Sequence, residues 1–225
     1  MSNKELMKFS QEIDKAENAA RIRLFSKASK QYMKLAEKAQ RLQPDIVVEM
    51  QFYAYLYQLN AEIDDGKDPL RTGTVGKLLS LTPHIGDRKL MMALPGGRFG
   101  EYSTFRILRE LKAIETMAIG VMNRNPATLR QAVNLFMNIG DEMLIFSKYL
   151  EPLKRRVTGR RAALECEGRA QVIEGSRFVD EDPSEAAEYF MLAVRAFRSA
   201  PVSYTHLRAD ETRHDLVCRL LLEKK

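Results

Sequence analysis

The sequence predicts an all-α protein built from antiparallel helical hairpins, arranged as an α-solenoid or as an irregular helical bundle. Residues 1–43 contain neither Gly nor Pro, and their apolar residues recur at helical spacing. Asn125-Pro126 and Asp182-Pro183-Ser184-Glu185 have the residue types that cap helix N-termini. No set of segments alternates apolar and polar residues with the period of two that a sheet requires. Residues 1–200 therefore fit one helical domain or repeat array.

The first helices are expected at 3–22 and 25–42, with a third running from Pro44 to about residue 63. Pro near the first turn and Asp45 beside it are typical of a helix start. The centre of the third segment, FYAYLY, is apolar on nearly every face. A strand has the same appearance, but the helical flanks favour a buried helix.

Residues 64–100 differ in composition from the rest of the chain. They hold seven of the 12 glycines and three of the 8 prolines. The pattern predicts a long loop region with short helices near 74–81 and 87–93, and loops of this length are commonly functional or mobile. Further helices are expected at about 101–123, 125–149, 162–175 and 182–199.

Three of these helices share the pattern Ala-x3-aromatic-Met, which begins at Ala28, Ala132 and Ala186. Gly120 lies twelve residues before the second instance, where a glycine would let two helix backbones approach closely. The pattern resembles the tetratricopeptide-like family, including its vesicle-trafficking SNAP-type relatives. The resemblance covers about half of the chain and implies stacked helical hairpins with a concave protein-binding surface.

The end of the chain resembles something other than a protein family. Residues 202–212 read VSYTHLRADET and residues 215–223 read DLVCRLLLE. Both resemble the in-frame translation of a transposase-type sequencing-library adapter, with Asp210 where the adapter gives His. The resemblance implies that residues 201–225 are a non-native tail and that the helical domain is truncated near residue 200. A genuine amphipathic terminal helix is the alternative.

The composition offers few residues for metal or catalytic chemistry. Only His84 and Cys166 precede residue 201, whereas a Cys/His zinc site needs about four such ligands. Gly76-Lys77 is followed by Leu78 and not by the hydroxyl residue of a phosphate-binding loop. We therefore predict no catalytic residue, no cofactor and no metal. The single native cysteine, the charged N-terminus and the lack of an apolar run of about 20 residues favour a cytoplasmic protein.

These observations favour a scaffold or adaptor that binds another protein or peptide. The formal net charge of +6 suits an acidic partner without requiring nucleic acid. The predicted contact face consists of Tyr53, Tyr57, Arg155, Arg156 and Arg160, although core packing of the tyrosines and a solvated basic turn remain alternatives. Two other functions stay open: a basic helical protein that binds nucleic acid, and an enzyme that uses the segment 64–100.

Overall fold

The computed structural model describes residues 3–42 and 46–199. Within these ranges the chain is predominantly helical, which confirms the all-α class, with one small hairpin of strands added. The elements are α1 (Asn3–Arg21), α2 (Phe25–Leu42), α3 (Val47–Asp64), α4 (Thr74–Ser80), α5 (Thr82–Ile85), β1 (Lys89–Ala93), β2 (Phe99–Ser103), α6 (Thr104–Met122), α7 (Pro126–Ile139), α8 (Gly159–Phe178) and α9 (Pro183–Ser199). The predicted helix start at Pro44-Asp45 and the tail 201–225 lie outside the described residues.

Helices that are consecutive in sequence pack against one another along the chain. In the N-terminal half, α1 meets α2 and α2 meets α3. Small side chains are buried at these contacts, among them Ala16 and Ala20 on α1 and Ala28 on α2. Because alanine adds little volume, the helices lie close together and the larger side chains of α3 fill the space beside them.

The prediction for residues 64–100 is confirmed only in part. The short helix near 74–81 forms as α4, but the helix expected at 87–93 is wrong, because this segment is strand β1. β1 pairs with β2 in an antiparallel register that runs from Lys89 opposite Ser103 to Ala93 opposite Phe99. Leu90 and Met92 point inwards while their neighbours Lys89 and Met91 are exposed, which is the alternation of a strand.

Glycines allow close approach between the helices of the C-terminal half. A Cβ added at Gly120 of α6 would lie 2.8 Å from Cγ of Leu129 on α7. At Gly168 of α8 it would lie 2.5 Å from the Phe197 ring on α9. The expectation that Gly120 sits where two helix backbones come close is therefore confirmed.

Two predicted caps form, and one predicted helix is shorter than expected. The side chain of Asn125 accepts hydrogen bonds from the backbone N–H groups of Ala127 and Thr128, at 3.0 and 3.2 Å. Asp182 accepts in the same way from Ser184 and Glu185, both at 3.0 Å. The helix expected to reach residue 149 ends at Ile139, since Gly140 has φ +65° and terminates it. Residues 140–158, here called the connecting segment, then lead to α8.

Candidate functional site

The two predicted tyrosines lie in the core and not on a contact face. Tyr57 is fully buried and Tyr53 is 7% exposed. Both stack in an aromatic cluster with Tyr32 and Phe25; the Tyr32 and Tyr53 ring centroids are 4.7 Å apart. Burial raises the pKa of the Tyr53 and Tyr57 hydroxyl groups well above the usual value. The enclosure of α3 by its neighbours thus removes both residues from the candidate contact surface.

Acidic partners neutralise most of the basic turn in the connecting segment. Arg155 forms an ion pair of 2.8 Å with Glu165, and Arg160 forms one of 3.3 Å with Asp141. Lys154 pairs with Glu151. These cations are therefore engaged within the fold, and their attraction for an external anion is reduced.

Arg156 is different from its neighbours in the turn. It is exposed, and within the described residues it forms neither a hydrogen bond nor an ion pair. It lines a pocket of about 230 Å³, here called the Arg156 pocket, between the β-hairpin turn and the connecting segment. The lining residues are Leu94, Pro95, Gly96, Gly97, Tyr102, Met143, Leu144, Ile145, Tyr149 and Arg156.

The hairpin turn requires glycine where it meets the connecting segment. Gly96 has φ +66°, a conformation that a side chain disfavours, and a Cβ there would collide with the Tyr149 hydroxyl. A Cβ at Gly97 would lie 3.2 Å from the Tyr102 hydroxyl. The two glycines therefore let the turn approach both phenols, which places polar oxygens beside apolar walls.

Backbone hydrogen bonds hold the opposite wall of the Arg156 pocket. The N–H of Leu144 donates to the carbonyl of Val157 at 2.9 Å, and Met143 pairs with Thr158 in an isolated antiparallel bridge. The N–H of Val157 donates to the Ser147 hydroxyl oxygen at 3.4 Å. Since Val157 follows Arg156 directly, these bonds fix the backbone beside the arginine.

A buried carboxylate lies behind this wall. Glu110 of α6 is 2% exposed and accepts a hydrogen bond of 2.5 Å from the N–H of Phe146. Burial raises the Glu110 pKa to about 7, although the backbone N–H groups of Phe146 and Ile145 and the charge of Arg106 lower it. Arg106 and Arg109 both pair with Glu142, at 3.3 and 3.5 Å.

The pocket can hold one acidic side chain or a terminal carboxylate. Its volume is below the range of about 300–1,000 Å³ that is typical of small-molecule sites. A guanidinium without an internal partner can bind a carboxylate with two parallel hydrogen bonds, and apolar residues line the pocket beside it. The lining contains no His, Cys, Asp or Glu, so its own side chains offer no general acid or base apart from the phenols.

A second, larger groove lies between α2 and the end of α3. Its volume is about 660 Å³, and both signs of charge line it, since Lys27, Lys30 and Lys34 share it with Asp64 and Asp65. The mixed charge defines no single ligand chemistry. The Arg156 pocket combines one cation with apolar walls and is therefore the better candidate.

Arg156 is one of five contact residues predicted from the sequence, whereas Glu110 and the hairpin were not predicted. Helical spacing contained a signal for Glu110, because it lies on the same face of α6 as the buried Ile107, Leu111 and Ile114. A carboxylate on an apolar face is unusual and indicates a specific partner. The signal for the hairpin was Pro95-Gly96-Gly97 between two short segments.

Three further properties bear on the possible chemistry. Within residues 3–42 and 46–199, no group of three or more His, Cys, Asp or Glu side chains could hold a metal ion. Cys166 is buried, and burial raises the pKa of its thiol. In the part of the chain that the structure describes, no helix is both long enough and apolar enough to cross a membrane.

Comparison with protein-family models, with curated proteins and with solved structures finds no match for this chain.

Proposed function

We propose that this protein is a scaffold of stacked helical hairpins that binds an acidic segment of another protein in the Arg156 pocket. The observation that carries this proposal is the state of Arg156, which has no ion pair among the described residues while its neighbours Arg155 and Arg160 do. A cation without an internal partner, placed beside apolar walls, is free to pair with a ligand.

The arrangement of the helices supports a scaffold. Consecutive helices pack in order, and glycines bring α6 close to α7 and α8 close to α9. The Ala and aromatic positions are buried in the first two instances of the repeat pattern. These residues are Ala28 with Tyr32 and Ala132 with Phe136. These contacts are consistent with the proposed solenoid of the tetratricopeptide type, in which each hairpin would rest on the next.

The bound segment is proposed to insert one Asp, Glu or C-terminal carboxylate beside an apolar residue. The carboxylate would meet Arg156, and the apolar neighbour would contact Leu144 and Ile145. A pocket of about 230 Å³ has room for one such anchor and not for a folded element. Binding of this kind is anchored by one central residue and completed by weaker contacts around it.

Selection from a displayed random peptide library tests the proposal. We expect the wild-type protein to enrich peptides with an acidic residue next to an apolar one. Arg156→Ala should weaken the binding of these peptides by at least about tenfold, because a charge-assisted hydrogen bond is lost. Arg195→Ala is the matched control, since Arg195 is an exposed arginine on α9 that does not line the pocket.

Other outcomes would contradict the proposal. Enrichment of peptides without acidic residues, or equal binding by wild type and Arg156→Ala, would remove Arg156 as the anchor. Binding to single- or double-stranded nucleic acid that weakens steeply with salt, together with no enriched peptide, would favour the nucleic-acid alternative.

A further inference from the structure

We propose that Glu110 is a positioning residue for the Arg156 pocket, and that its ionisation state sets the geometry of the pocket wall. The wall is held most firmly when the carboxylate is charged and loosens when it is protonated. Only the predicted effect on ligand binding rests on the proposed function; the effect on the wall does not.

The first step concerns the contact between Glu110 and the wall. The carboxylate accepts a short hydrogen bond of 2.5 Å from the backbone N–H of Phe146, and the N–H of the preceding residue, Ile145, also lowers its pKa. Ile145 also lines the Arg156 pocket. One side chain on α6 thus holds the backbone of the wall from behind.

The second step is the path from the wall to the arginine. Two bonds connect the wall to Val157: the N–H of Leu144 donates to its carbonyl, and its own N–H donates to the Ser147 hydroxyl. Arg156 precedes Val157 in the chain. A shift of residues 144–147 is therefore transmitted through two hydrogen bonds to the backbone beside Arg156.

The third step is the chemistry of protonation. A charged carboxylate is an acceptor only, so both oxygens can face N–H donors. The protonated acid carries an O–H donor on one oxygen, and that oxygen becomes a poorer partner for an N–H group. Hydrogen bonds to the charged form are also about twice as strong as neutral ones. Protonation consequently weakens the attachment of the wall to α6.

The charged groups around Glu110 do not cancel the weakening of the wall that follows its protonation. Arg106 faces it from α6, and Glu142 faces it from the connecting segment. Arg106 and the neighbouring Arg109 both pair with Glu142, so much of the arginine charge is engaged elsewhere. Burial dominates the balance and brings the Glu110 pKa to about 7, where modest changes of pH alter its charge.

Nuclear magnetic resonance of the ¹⁵N-labelled full chain tests the effect on the wall. Between about pH 5.5 and about pH 8.5, the amide signals of Leu144, Ile145 and Phe146 should shift together with a midpoint near 7. The shift should disappear in Glu110→Gln. The amide of Ala127 is an internal control, because its acceptor is the uncharged side chain of Asn125.

Constant wall signals, or the same titration in Glu110→Gln, would overturn the proposal. If Glu110→Gln does not fold, the carboxyl carbon signal of Glu110 in the ¹³C-labelled wild type replaces the variant. It must titrate with the midpoint of the wall amides, and a different midpoint would also overturn the proposal.

The effect on binding is measured with a His-free acidic peptide from the library selection. Its carboxylate stays charged between about pH 6 and about pH 8, so the ligand itself does not titrate. Affinity should fall about fivefold from the higher to the lower pH, the effect of losing one hydrogen bond, and Glu110→Gln should show no such change.

The outcomes separate this inference from the proposed function. The wall amides could titrate while the affinity for the peptide does not change with pH. That result would overturn the coupling of Glu110 to binding and leave the pocket assignment intact. If the library returns no peptide, the proposed function has failed, and the amide titration alone decides whether Glu110 positions the wall.

Discussion

Replacement of Glu110 with glutamine should flatten the dependence of the free energy of unfolding on pH. In the folded protein the Glu110 pKa is about 7, whereas the ordinary value is 4.5. Because the folded state binds the proton more tightly than the unfolded state, Glu110 stabilises the fold most fully below pH 4.5. That contribution is lost as the pH rises through 7.

The size of the effect follows from the two pKa values. Each pKa unit corresponds to about 1.4 kcal/mol, so the difference between 4.5 and about 7 corresponds to about 3.5 kcal/mol in total. No reduction for solvent screening applies, because Glu110 is only 2% exposed. Most of this loss falls between about pH 5 and about pH 8.

Urea denaturation followed by circular dichroism at several pH values measures the effect. The difference in free energy of unfolding between wild type and Glu110→Gln should change by about 2–3 kcal/mol from pH 5 to pH 8, in favour of the variant at the higher pH. Ionisable groups other than Glu110 titrate in both proteins, so their contributions cancel when the two free energies of unfolding are subtracted. Parallel curves for the two proteins would refute the reasoning, since the environment of Glu110 would then not raise its pKa.

Two substitutions of glycine test the packing and the pocket. Gly120→Ala should destabilise the fold by about 1–3 kcal/mol in urea denaturation, because the added Cβ meets Leu129 at 2.8 Å. Gly76→Ala is its control: Gly76 is an exposed helical glycine where the Cβ meets only one carboxylate oxygen, at 3.9 Å. Stability there should rise by about 0.5–1 kcal/mol, and equal losses at the two sites would contradict the packing account. Gly96→Ala should abolish peptide binding, because its Cβ occupies the space of the Tyr149 hydroxyl in the pocket; unchanged affinity in a titration would show that the hairpin turn does not shape the site.

Local rules predicted the parts of the fold that local interactions determine. The caps at Asn125 and Asp182 form because a side-chain oxygen can bond the free N–H groups two and three residues later. The close contact at Gly120 was also predicted, because the repeat pattern placed it opposite the following helix. Such features depend on a few neighbouring residues and are visible in a sequence.

Tertiary packing decided what the sequence did not reveal. Tyr53 and Tyr57 were predicted on a contact face, with core packing as the alternative; α3 is enclosed and their rings pack with Tyr32 in the core, as in that alternative. β1 contains Met91 and Met92, which are common in helices, and it becomes a strand because β2 supplies its hydrogen bonds.

Of the residues in the candidate site, only Arg156 was among the contact residues predicted from the sequence, and its contact role stays a prediction. Arg155, Arg156 and Arg160 look alike in sequence, but the fold pairs Arg155 and Arg160 with carboxylates and gives Arg156 no acidic partner among the described residues. The choice among the three therefore requires coordinates. Glu110 lies more than 30 residues from the wall that it holds, so its partners could not be assigned from local spacing.

A double-mutant cycle between Arg156 and the acidic residue of a selected peptide tests the central claim most directly. The four affinities, for wild type and Arg156→Ala with the peptide carrying Glu or Gln at that position, give the coupling free energy of the pair. We predict a coupling of at least about 1 kcal/mol, as for a charge-assisted pair beside apolar walls. A coupling near zero would show that the peptide carboxylate does not meet Arg156 and would contradict the assignment of the pocket.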